Sequence, residues 1–177
     1  MMAGQYAHAE MTGIDEVLAL LNGLHGEALM DPLRRGLART MTRMRDDARQ
    51  NCPIGEGDED IHLRDTIDYK IEVKTYGVRG DLIASSEHAV FVEMGTGPVG
   101  AKSLSGADVS PQIRQRVTYS ADGWIYPTGQ TGPDGKPEFV YTEGMAPQPY
   151  LYPAYKRHAG KVLGDLKKAA EETIAAR

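Results

Sequence analysis

Leu33, Leu37, Met41, Met44 and Ala48 recur at the three- and four-residue spacing of one helix face. Arg34, Arg35, Arg39, Arg43, Arg45 and Arg49 fill the rest of that stretch. Asp31 as N-cap and Pro32 at the first helical position predict its start, and Pro53 its end. Upstream, Ile14, Val17, Leu18 and Leu21 predict a shorter helix capped by Thr12 and ended by Asn22-Gly23 and Gly26. Residues 1–12 show no period and read as a flexible N-terminal arm. Gly55 to Asp60 reads as an acidic loop. Ile67, Tyr69, Ile71 and Val73 then alternate with Asp68, Lys70, Glu72 and Lys74, the period-two pattern of a half-buried strand. Gly77 and Gly80-Asp81 are read as bracketing a turn, with Leu82 to Ser86 returning antiparallel. Near the C-terminus, Tyr155, Ala159, Val162, Leu166 and Ala170 predict the inner face of a helix from about Ala154 to Ala175.

Between these periodic parts lie two short stretches that set the organisation. The first, Phe91-Val92-Glu93-Met94-Gly95-Thr96-Gly97, is an apolar run with one carboxylate, closed at a glycine turn. His88 to Met94 fits a short helix and a third strand equally. The second, Met145 to Ala154, is an extended strap. Pro147, Pro149 and Pro153 each fix φ and bias the residue before them away from the helical region. Tyr150, Leu151 and Tyr152 need cover, and Pro153 suits the first turn of the following helix. Residues 98–143 are rich in glycine and proline, and a structureless loop of that length does not suit a compact domain. Val117-Thr118-Tyr119 and Trp124-Ile125-Tyr126 flank Ala121-Asp122-Gly123, read as a hairpin turn; Pro133-Asp134-Gly135 is a second turn before Phe139-Val140-Tyr141. The expected fold is α+β, a single domain over residues 1–177. It has N-terminal helices, a central antiparallel sheet with an inserted β-hairpin arm at 98–143, and a C-terminal helix packed on the sheet.

Composition narrows the function. Lysine and arginine number 20 against 25 acidic residues, so net charge is −5 and exerts no general pull on nucleic acid or membranes. The apolar runs are far shorter than a membrane span, and the first residues lack the pattern of a secretory leader. One cysteine, Cys52, excludes an intramolecular disulfide and reads as a small core residue at a helix end. Nine tyrosines against two phenylalanines and one tryptophan suit subunit contacts, because a tyrosine joins apolar area to a hydroxyl.

Candidate chemistry is sparse. The five histidines are scattered without metal-ligand spacing. Ser85-Ser86-Glu87-His88 holds hydrolase residue types, but adjacent positions do not build a triad. Gly95-Thr96-Gly97 lacks the lysine and length of a phosphate loop. The acidic loop lacks the bidentate glutamate of a calcium site at its proper offset. The reading is a protein without enzymatic activity, catalytic residues, metal or cofactor. Six arginines against three aspartates leave the 31–49 helix at +3. Arg35, Arg39 and Arg43 stack at four-residue spacing and suit phosphates, or else a solvated face or an ion-pair surface between subunits, with the acidic 55–72 segment of a neighbour as partner. Glu93, inside an apolar run, is expected to be tied by backbone amides or an arginine.

Three motifs in order carry a resemblance. Val92-Glu93-Met94-Gly95-Thr96 is similar to a Val-Glu-Phe-Gly-Thr signature. Gln148-Pro149-Tyr150-Leu151-Tyr152-Pro153-Ala154 is similar to Gln-Pro-Phe-Leu-Arg-Pro-Ala. Asn51-Cys52-Pro53-Ile54-Gly55, then Leu63-Arg64-Asp65-Thr66-Ile67, matches an Ala-Pro-Val-Asp-Thr-Gly-x-Leu-Arg-x-Ser-Ile run. Together they resemble the tail-component family of long-tailed bacteriophages, neck or tail-completion proteins of the head–tail junction. The resemblance covers about residues 30–97 and 144–175. Glu56 to Asp60 and the long 98–143 segment depart from it. It implies a structural virion protein made in the bacterial cytoplasm, closing a ring of identical copies, a hexamer before a dodecamer. Its neighbours would be the head connector or portal on one side and a tail-tube or terminator protein on the other. DNA would meet it only by passing through the channel, and no membrane is involved. Tail terminator and head-closure subunit are the related alternatives; a DNA-contacting protein acting through the arginine helix is the alternative of another class. Interface or structural roles fall to Arg35, Arg39, Arg43, Glu93, Gly95, Thr96, Trp124, Tyr126, Pro149, Tyr150, Leu151 and Pro153.

Overall fold

The computed structural model describes residues 27–54, 62–74, 77–133 and 135–176. The arm at 1–12, the helix expected from Thr12 and the loop from Gly55 to Asp60 lie outside the described residues. The fold is α+β, and the chain divides into two compact units. One is assembled from residues up to Ser86 and from Tyr150 onward; the other is Glu87–Pro149.

The first unit is built on α1, Glu27–Asn51. Its predicted stripe holds: Leu37, Met41, Met44 and Ala48 are buried. Its start does not. The helix is already formed at Glu27, so Asp31 is not the N-cap and Pro32 lies inside. Pro32 is the sixth helical residue, so its missing N–H forgoes one intrahelical bond close to the helix start. Asp31 instead pairs with Arg35 at 2.8 Å, one turn on. Strands β1, Ile67–Lys74, and β2, Gly77–Ala84, pair antiparallel from Ile67↔Ala84 to Lys74↔Gly77. Gly80 and Asp81 are therefore strand residues and not part of a turn. A side-chain carbon on Gly80 would lie 2.8 Å from the Met41 sulfur, which is why a glycine suits a strand that approaches a helix this closely.

After β2, the first unit resumes with two helices, α5 (Leu151–Ala159) and α6 (Val162–Ala175), numbered after those of the second unit. The single helix expected from Ala154 is broken at Gly160-Lys161. There the Lys161 N–H donates to the His158 carbonyl at 2.9 Å, a tighter three-residue turn from which α6 restarts. The strap also turns helical earlier than expected, from Leu151. Pro153 stands third in α5, where a missing N–H costs nothing. Leu37, Met41 and Met44 form one core with Val162, Leu166 and Ala170; Tyr69, Ile71, Val78 and Leu82 close it from the sheet. A side-chain carbon at Gly36 would lie 2.7 Å from the Leu166 α-carbon, so α1 and α6 touch backbone to backbone.

The second unit holds α2 (Ala89–Met94), α3 (Gly97–Ser103), α4 (Pro111–Arg114), β3 (Trp124–Thr131) and β4 (Pro137–Thr142). His88–Met94 thus resolves as helix. The expected arm at 98–143 is only half β, because its first part folds as α3 and α4. The hairpin expected at Ala121-Asp122-Gly123 does not form. Tyr119 is drawn to α2, where its hydroxyl donates to the Met94 carbonyl at 2.7 Å. β3 pairs with β4 instead, around the second predicted turn, where Gly135 takes φ +76° and donates to the Gly132 carbonyl at 2.9 Å. No helix among the described residues is long and apolar enough to cross a membrane.

Candidate functional site

The two motif stretches, about 50 residues apart, meet in the second unit as a hydrogen-bonded clamp. The Thr96 N–H donates to the Met145 carbonyl at 2.9 Å, and the Met145 N–H returns to the Thr96 hydroxyl at 3.1 Å. Val99 N–H donates to the Glu143 carbonyl at 3.1 Å, and Gln148 N–H to the Val92 carbonyl at 2.9 Å. The geometry requires glycine. Gly95 has φ +76°, and a side-chain carbon there would lie 2.6 Å from the Met145 carbonyl oxygen. Gly144 has φ +93°, and a side chain there would overlap the Thr96 carbonyl. Glu93 is buried on α2 just before the clamp. Tyr119 is packed against it, and burial raises its phenol above the ordinary value. These are backbone amides, one threonine hydroxyl and a tyrosine, the chemistry of a fixed joint.

From this joint projects the β3–β4 ribbon. The register Trp124↔Thr142, Ile125↔Tyr141, Tyr126↔Val140 and Pro127↔Phe139 assigns its two faces. Ile125, Pro127, Phe139 and Tyr141 share one; Trp124, Tyr126, Val140 and Thr142 share the other. The large side chains of both faces are exposed: Ile125 66%, Phe139 61% and Tyr141 60%, against Trp124 40%, Tyr126 44% and Val140 44%. Trp124 also borders the clamp, since a side chain on Gly97 would lie 2.9 Å from its ring.

The arginines belong to the other unit. Arg35 donates to the Thr173 hydroxyl at 2.6 Å, Arg39 pairs with Glu172 at 2.6 Å, and Arg43 pairs with Asp165. Asp165 also accepts from Thr40, which is fully buried. Arg34 meets Asp31, Arg45 meets Asp46 and Asp68, and Arg49 donates to the Ile67 carbonyl. Every arginine of α1 thus has a partner within the chain: Arg35, Arg39 and Arg43 on α6, and Arg34, Arg45 and Arg49 on α1 itself and the start of β1. The hydrogen bond between Arg39 and Glu172 raises the arginine and lowers the glutamate from their ordinary values.

Thus Glu93, Gly95, Thr96, Trp124 and Tyr126 share the second unit with Pro149. Arg35, Arg39 and Arg43 share the first with Tyr150, Leu151 and Pro153. Tyr150 is fully buried, a strap residue that found its cover. Sequence reasoning missed Asp47, which joins α1 to α5 by accepting from His158 at 3.0 Å and Arg157 at 3.1 Å. The 111-residue separation gave no local signal. Gly144 and Glu143 were missed too, though Gly144 beside a proline-rich strap was a legible turn marker. Among the described residues, no group of three or more His, Cys, Asp or Glu is placed to hold a metal ion. Comparison with protein-family models, curated proteins and solved structures finds no match.

Proposed function

We propose that this chain is a structural subunit of the head–tail neck of a long-tailed bacteriophage, a tail-completion protein that assembles as a ring between head connector and tail. The carrying observation is the β3–β4 ribbon, which exposes large apolar side chains on both faces. A two-stranded ribbon is marginal alone in water, and an exposed apolar patch of this extent marks a contact surface. The subunit is thus built to be completed by a partner. The clamp adds support, because the two motif stretches that carry the resemblance meet in one joint. The DNA-contacting alternative loses ground, since the arginines of α1 are matched by the chain's own acids and carbonyls. On this reading the protein resides in the virion, is made in the host cytoplasm, and meets DNA only as the channel's cargo.

The test is complementation. A phage lacking this gene should accumulate separate heads and tails, and the purified chain added to that extract should restore joined particles that contain it. Joined particles in the gene's absence, or particles without the protein, would overturn the proposal.

A further inference from the structure

The ribbon's geometry says more about its partner than that one is needed. Its apolar side chains sit at the base, residues 124–127 and 139–141, while the far end carries Thr128, Gln130, Thr131, Gly132 and Lys136. A hairpin made to enter a lipid bilayer would place its apolar groups at the tip. Both strands also carry a proline, Pro127 in β3 and Pro137 in β4, which cannot donate to an added strand. The ribbon is guarded at its edges and open on its faces. The partner therefore packs on the faces, as one sheet packs on another.

The two faces differ in shape and composition, so they are not copies of one another. A two-fold contact between identical chains would cover the same face twice and leave the other in water. A head-to-tail contact, one face against the opposite face of the next copy, covers both with one kind of interface and gives a ring where the rotation between copies closes. Area makes each such contact a weak one. With about 150–250 Å² for a whole aromatic side chain, the exposed fractions leave on the order of 300 Å² on each face. One such contact buries on the order of 600 Å² in total, about half of what a stable pair needs. Each copy in a closed ring makes two contacts, and the last is made within an already linked chain.

We infer that the β3–β4 ribbon docks on a second copy of this chain, the Ile125–Phe139–Tyr141 face of one ribbon against the Trp124–Tyr126–Val140 face of the next, head to tail around a ring. This rests on the ring reading above and adds which surfaces meet. Trp124 is the sole tryptophan, so it reports directly. Its emission should move to shorter wavelength as the pure chain is concentrated, in step with multimers in sedimentation. For direct proof, Ile125→Cys and Val140→Cys, on opposite faces, are made as separate variants; buried Cys52 is checked for silence in the parent chain. Mixed, the two should cross-link through a short thiol-reactive linker about tenfold more than either alone, as a heterologous contact demands. Equal or greater linkage within one variant would show a two-fold contact and overturn the inference. So would a chain that stays monomeric at the highest attainable concentration, a Trp124 shift seen only with phosphatidylcholine vesicles, or multimers that form without the mixed cross-link. The joining assay reads separately. Joined particles without the mixed cross-link sink this inference alone, and the cross-link with no role in joining sinks only the phage reading.

Discussion

Replacing Gly36 by alanine sets two opposed effects against each other. In an exposed helix interior the change stabilises by roughly 0.8–1 kcal/mol, because alanine loses less backbone freedom on folding. At Gly36 the new carbon would lie 2.7 Å from the Leu166 α-carbon, 2.9 Å from its nitrogen and 2.9 Å from the Asp165 carbonyl oxygen. All three are backbone atoms, so rotamer changes cannot relieve the overlap, and α1 and α6 must move apart. An ordinary contact needs about 3.5–4.0 Å, and a gap of 0.5–1 Å forfeits about a quarter to a half of each contact's attraction. The separation falls on Leu37, Met41 and Met44 of α1 and on Val162, Leu166 and Ala170 of α6. Overpacking of this kind costs about 1–3 kcal/mol, more where backbone must shift. The clash wins, with a net loss of about 1–2 kcal/mol and a midpoint about 2–8 °C lower at this chain length. Gly164 in the first turn of α6 is the control, with open space around its α-carbon. There Gly164→Ala should be neutral or stabilising by up to about 1 kcal/mol. Thermal unfolding of both variants by circular dichroism decides the matter. If Gly36→Ala melts at or above the parent, the close helix contact is not real and the packing argument falls.

Asp165→Ala should destabilise by about 2–3 kcal/mol in urea titration, since it strands the buried Thr40 hydroxyl as well as freeing Arg43; Thr40→Val with Asp165→Asn should recover part of the loss. Reversal of Arg35 and Arg39 to glutamate should lower the melting temperature of the free chain, because both side chains bond α6; an unchanged midpoint would show these pairs to be idle. Gly95→Ala should loosen the second unit and speed amide exchange at Thr96 and Met145, read by hydrogen–deuterium exchange; protection equal to the parent would refute the clamp. Hydrogen bonds from Lys70 and then Lys74 hold Glu72 down to about 2. A lowered carboxylate contributes above its unfolded value of about 4.3, and that contribution fades as pH falls through its folded value. Any stability it adds should therefore be lost between about pH 4 and pH 2, and Glu72→Gln should flatten that part of the acid titration curve.

The α1 stripe, the alternation in β1 and the α6 inner face were legible in sequence. In each, the side chains that need burial recur at the period of the backbone that buries them. The Gly95-Thr96 and Met145–Pro149 stretches were legible as special, because glycine and proline restrict the backbone locally. The sequence did not reveal that they bond to each other, since a pairing across 49 residues leaves no mark on either side. Residues 117–141 offered three strand-like runs and two turns. Their local preferences were nearly matched, and the Tyr119 bond to Met94 removed one contender. Arg39 and Arg43 looked like part of a face for phosphate or another subunit because their counter-charges, Glu172 and Asp165, lie more than 120 residues away on α6. Period and turn chemistry act within a few residues and could be read along the chain. Which charges neutralise each other, and which apolar face stays uncovered, depended on how the helices and strands came together, and only the tertiary structure decided that.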